Sequence, residues 1–217
     1  MRVDQLILRA AAVALLLLSL VVVLAEPADV LDLPPDQLLL GDLGPLVRLV
    51  AGAAGVLVVL SAATVGRALD PERGRRAVPV LLGASGLALV VLALTSPAEI
   101  LGSEGGAGVV LDVDASGSAA ANVLAMLVVT TFLPAAMIVQ AARWRRADAE
   151  SRTAKVAFGL AVTSLWASLA HSLAQDGTLP APGLWQRVAL VVAFAWIAVL
   201  LLRLAGRPTS GSAGTRR

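Results

Sequence analysis

Apolar residues in this chain fall into six long runs rather than an alternating or amphipathic pattern. The runs cover residues 6–25, 46–66, 77–95, 119–142, 157–174 and 184–204, with polar residues gathered between them. A bilayer core about 30 Å thick is crossed by about 20 apolar residues in a helix. In lipid, only a helix or a closed barrel satisfies its own backbone N–H and C=O groups. The two-residue alternation of a barrel strand is absent. The expected fold class is therefore all-α: a polytopic bundle of six transmembrane helices, one domain over residues 1–207. Residues 208–217 are expected to be a disordered tail, because Pro208 and the Gly, Ser and Thr after it have nothing to bury.

The first run has two readings. Arg2 and Arg9 flank a charged n-region, and Val23-Leu24-Ala25 resembles the cleavage site of a secretory signal. Such signals have an apolar core of about 7–15 residues. Here residues 10–25 make a run of 16, and Leu6, Ile7 and Leu8 extend it across Arg9. A retained membrane helix is the better fit.

Charge then orients the bundle. The segment 26–44 holds Glu26, Asp29, Asp32, Asp36 and Asp42 and no base, and 96–118 holds four acids and no base. The segments 67–76 and 143–156 instead carry four Arg, and four Arg with Lys155. Lys and Arg in short loops mark the cytoplasmic side. Both termini are thus expected in the cytoplasm of a multi-pass plasma-membrane protein. The inner side holds 15 of the 17 bases and five of the 15 acids, a balance of +10, and the outer side balances at −8. Arg48 and Arg187 are the two bases outside this sorting. The pI near 10.3 reflects topology and contact with anionic lipid, not nucleic-acid binding.

Composition narrows the chemistry. The 217 residues are 58% hydrophobic and 15% charged, with no Cys, no Tyr and one His. A soluble domain carries about a quarter charged residues. The lack of Cys excludes disulfides, thiolate metal sites and Cys nucleophiles. Sixteen of the 17 bases are Arg, which together with the Ala, Val and Leu richness points to a high-GC bacterial genome. All seven aromatics lie at or after Phe132; Trp185 and Trp144 fall at the outer and inner ends of spans, and Trp166 and Trp196 lie deeper. Ala51, Gly55, Ala62 and Gly66 share one face of helix two, where small residues allow close helix approach. Packing within the chain is the expectation, and a homodimer seam is the alternative.

Three motifs were weighed for function. Gly83-Ala84-Ser85-Gly86 with His171 resembles the nucleophile turn and distant His of rhomboid intramembrane proteases. The topology opposes it, because Ser85 and His171 fall roughly 8–10 Å apart in depth at 1.5 Å per residue. Asp112-Val113-Asp114-Ala115-Ser116-Gly117 resembles the first half of an EF-hand loop and makes Asp112, Asp114 and Ser116 weak metal candidates. The closing bidentate Glu is missing, since position 12 is Val123 inside a span. The Gly-rich stretch 105–111 leaves a short strand or a re-entrant turn open. The third motif is a helix-five stripe of Ser164, Ser168, His171 and Gln175, level with Asn122, Arg48 and Arg187. Polar and ionisable groups within spans are functional candidates by default. The candidate ligand-binding set is therefore Arg48, Asn122, Ser168, His171, Gln175 and Arg187, suited to an anion or a lipid headgroup in the outer leaflet. The competing reading is helix packing, with each Arg snorkelling to the interface.

Haem-type His pairs, Walker loops and buried carboxylates within spans two to six are absent, so no cofactor is expected. The expected function is a non-enzymatic, permease-like or accessory subunit. Its expected partners are the lipid bilayer and other membrane subunits or a second copy of itself. A small homo-oligomeric transporter is the alternative, and an intramembrane enzyme the third reading.

Overall fold

The computed structural model describes residues 3–24, 43–68, 76–95, 117–147, 152–175 and 177–206. These residues form six helices: α1 Val3–Leu24, α2 Gly44–Ala68, α3 Ala77–Leu94, α4 Gly117–Ala147, α5 Arg152–Gln175 and α6 Pro182–Ala205. Each is long and apolar enough to cross a membrane, and no strand occurs among the described residues. The segment 96–116, which holds Asp112, Asp114 and Ser116, and the tail 207–217 lie outside the described residues.

The helices reach past the apolar runs, most clearly in α4, which continues through Arg145 and Arg146, and in α5, which begins at Arg152. Hydropathy marks only the lipid-embedded stretch, whereas Arg, Lys and Ala are strong helix formers on either side of it. Pro134 lies buried inside α4. Its missing N–H leaves the Thr130 carbonyl without the main-chain donor it would otherwise receive. Membrane helices tolerate such a site when neighbours pack around it.

Successive helices are antiparallel and pack on one another, and α1 closes the ring against α6. Asp4 at the start of α1 pairs with Arg67 at the end of α2 at 3.1 Å. The starts of α1, α3 and α5 and the ends of α2, α4 and α6 therefore share one end of the bundle, the terminal end. The other is the distal end. Helix α6 also touches α2 and α4. Over their most apolar 18 residues, 61% of α6 is buried against 28% of α5, so α6 is the most enclosed helix and α5 the least. Phe194, Ile197, Leu200 and Leu201 of α6 are fully buried and fill the bundle interior. Large apolar side chains such as Leu49, Leu87, Leu124 and Leu165 point outward. A helix that is apolar all round belongs in lipid or in a core.

Helices α2 and α3 make the closest seam. A Cβ built on Gly55 would lie 2.6 Å from the Gly86 carbonyl oxygen, and one on Gly66 would lie 3.2 Å from the Pro79 ring. Gly83 faces Ala62 across the same seam. The small-residue face of α2 is thus occupied by α3 within the chain.

Several hydroxyls are satisfied locally. Ser19, Ser61, Thr130 and Thr163 each donate to the carbonyl four residues earlier in their own helix. This bond lets Ser and Thr sit in an apolar span without an external partner.

Candidate functional site

The polar residues singled out at the distal end lie on two separate seams. Asn122, fully buried near the start of α4, donates from Nδ2 to Thr95 Oγ1 at 3.2 Å, at the end of α3. Its Oδ1 is buried without a hydrogen-bond partner. On the α5–α6 seam, Ser164 Oγ donates to the Ala189 carbonyl at 3.0 Å, and Ser168 Oγ donates to the Ser164 carbonyl at 3.0 Å. His171 Nδ1 lies 2.8 Å from the Pro182 carbonyl oxygen, the first residue of α6. A carbonyl only accepts, so Nδ1 carries the proton and Nε2 is left as an acceptor in the neutral ring. A carbonyl has two lone pairs, so Pro182 can serve both His171 and its own helix.

The remaining members are placed as follows. Arg48 sits half-buried near the start of α2, and Arg187 is buried near the start of α6. Gln175 ends α5. Of the helix-five residues, Ser164 and His171 face α6. Ser164 and His171 both act on α6 backbone carbonyls. Gln186 was missed by sequence reasoning: it is buried beside Arg187, and its Oε1 has no hydrogen-bond partner. A Gln two residues into the apolar run 184–204 is the available signal.

Ser85 is fully buried and donates to the Leu81 carbonyl at 2.8 Å. Its helix packs on α2 and α4, whereas the helix of His171 packs on α4 and α6. The arrangement engages Ser85 as a packing group. Among the described residues no group of three or more His, Asp or Glu gathers where a metal ion could sit.

A cavity opens at the terminal end instead. It has a volume of about 490 Å³ and lies between the end of α4, the first half of α5 and the second half of α6. Trp144 and Trp196 both line it and pack against each other at 6.0 Å between ring centres, tilted by 44°. Arg152 and Arg203 stand at one end of it, and the rest of its wall is mainly aliphatic. Beside it, Arg145 lies over the Phe158 ring at 5.6 Å. Residue spacing does not bring these residues together, although Trp144 falls where interfacial anchors lie. The signal was split among three helices.

A family model described as "Protein of unknown function (DUF998)" matches residues 8–203. The chain belongs to the DUF998 family. The match runs from α1 to the last turn of α6, so it takes in both polar seams and the cavity. No curated protein and no solved structure matches the chain.

Proposed function

We propose that this DUF998 protein is a non-enzymatic, accessory membrane subunit rather than a conduit for a solute. The observation that carries this reading is the filled middle of the bundle. Helix α6 is the most enclosed of the six, and its fully buried Phe194, Ile197, Leu200 and Leu201 form an apolar plug where a transport path would need polar groups. Polar side chains toward the distal end point the same way. Ser164 and His171 of α5 bond to backbone carbonyls of α6, and Asn122 of α4 bonds to Thr95 at the end of α3. Such bonds hold helices together in lipid. In this reading both termini face the cytoplasm of a plasma membrane, supported by the sorting of bases and acids between the two ends.

The test is extraction from the native membrane in polymer nanodiscs, followed by crosslinking and quantitative mass spectrometry. The expected result is a fixed ratio to a second, larger membrane polypeptide. A stable homo-oligomer in which His171→Cys reacts with water-soluble thiol reagents would overturn this reading in favour of a transporter.

A further inference from the structure

We propose that the cleft between α4, α5 and α6 is a binding site for one anionic phospholipid of the leaflet at the terminal end. This stands independently of the accessory-subunit reading, because it rests on other side chains, those on the lipid-open side of α6.

The first argument is the distribution of charge. Arg152 and Arg203 line one end of the cleft, and among the described residues no acid lines it. Among the described residues neither arginine forms an ion pair; the ion pair present is Arg67–Asp4, on α1 and α2. Lys155 lies one turn along α5 from Arg152, and Arg145 and Arg146 extend the same positive end in α4. Basic pockets between membrane helices on the cytoplasmic side suit anionic lipid headgroups. An arginine fork matches phosphate with paired N–H donors.

The second argument is depth. The lining runs along α6 from Val191 to Arg203 and along α5 from Arg152 to Leu160. At 1.5 Å per residue these are roughly 18 Å and 12 Å. Half of a hydrocarbon core about 30 Å thick is about 15 Å. The cleft therefore spans one leaflet, charged at its terminal end and apolar toward the midplane. Its volume of about 490 Å³ lies in the usual range of small-ligand sites, roughly 300–1,000 Å³.

The third argument is access. Val156, Leu160 and Val199 line the cleft and are also exposed on the outer surface of the bundle. That surface faces lipid, so an acyl chain enters sideways without crossing water. The tilted Trp144–Trp196 pair gives the chain an aromatic wall, with Trp144 level with the headgroups and Trp196 about 10 Å deeper than Arg203.

The tryptophans report the test. The full chain carrying Trp166→Phe and Trp185→Phe retains only Trp144 and Trp196 as tryptophan emitters. It is purified in detergent and titrated with phosphatidylglycerol or phosphatidylcholine brominated at the same acyl carbons. Phosphatidylglycerol is expected to quench at roughly thirtyfold lower mole fraction, the scale two arginines supply at a membrane surface. The preference is expected to fall in high salt. It is also expected to vanish in Arg152→Gln/Arg203→Gln while quenching by phosphatidylcholine persists. Ala195→Phe, which fills the cleft, is expected to remove quenching by both lipids. Inorganic phosphate alone is expected to leave the lipid titration unchanged. Equal quenching by the two lipids in the parent chain overturns the assignment, as does a preference that survives in Arg152→Gln/Arg203→Gln. The salt titration of the parent chain decides the matter if that variant does not fold: a preference unchanged in high salt also overturns it.

Discussion

Gly55 and Gly86 meet backbone to backbone across the α2–α3 seam. A Cβ on Gly55 would lie 2.6 Å from the Gly86 carbonyl oxygen, and a Cβ on Gly86 would lie 2.8 Å from the Gly55 carbonyl oxygen. The obstacle on each side is main chain, which cannot swing away as a side chain does. Gly55→Ala and Gly86→Ala are each expected to destabilise the protein by about 1–3 kcal/mol, the usual cost of overpacking. Gly83→Ala is the control, because its Cβ would meet only the Ala62 methyl at 3.7 Å. Thermal unfolding in detergent checks this: a loss for Gly83→Ala equal to that for Gly55→Ala would contradict it.

Asn122 and Thr95 supply a second test, on the α3–α4 seam. Their bond at 3.2 Å is between two side chains near the distal ends of their helices. Interhelical hydrogen bonds of this kind couple by about 0.6 kcal/mol on average in membrane proteins. A double-mutant cycle of Asn122→Ala and Thr95→Ala is expected to return a coupling near that size. The single Asn122→Ala change also removes a buried carbonyl oxygen that has no partner, so its cost should stay modest. A coupling of zero, measured by steric trapping or denaturant unfolding, would place the bond outside the native ensemble.

Much of this architecture is legible from the order of residues, and the reasons differ from element to element. The six spans are set by run length, which lipid thickness makes nearly compulsory. The ends of α4 and α5 were not legible, because Arg145, Arg146 and Arg152 are polar by hydropathy yet strong helix formers. The small face of α2 announced a close neighbour, but periodicity on one helix cannot say which helix that neighbour is. The stripe on α5 was visible for the same reason that its role was not: Ser164 and His171 bond to main-chain carbonyls of Ala189 and Pro182, and backbone groups leave no mark in a sequence. The cleft needed Trp144 and Trp196 to be brought together from helices far apart in the chain.

Ala181 carries the strain of the tight α5–α6 connection. It has φ 62° and ψ 59°, left-handed for a residue with a side chain, and it is followed directly by Pro182. This conformation costs an L-residue roughly 1–2 kcal/mol, which glycine avoids. Glycine gives back part of that through greater freedom in the unfolded chain. Ala181→Gly is therefore expected to raise stability by about 0.5–1 kcal/mol, and Ala181→Val to lower it. The order Gly, Ala, Val in melting temperature is the expected readout, and any inversion between Gly and Val would contradict it.

Orientation can be tested on single introduced thiols, because the chain has no Cys of its own. The segment 67–76 carries four Arg and the segment 96–118 carries acids alone. If basic loops stay in the cytoplasm, Gly105→Cys reacts with a membrane-impermeant maleimide in intact cells, and Arg73→Cys reacts only after lysis. The two positions flank α3, so one membrane crossing separates them and each serves as the other's control. The reverse labelling would put both termini outside and move the Arg152–Arg203 end of the cleft to the outer leaflet. A charge argument sharpens the result. Changing Arg75 and Arg76 together to Gln removes half of the positive charge of that loop and leaves position 73 for the thiol, while 143–156 still holds four Arg and Lys155. If α4 and α5 are anchored by their own loop, labelling at Gly105→Cys persists in that background. If the first basic loop dominates, the protection of position 73 is lost first.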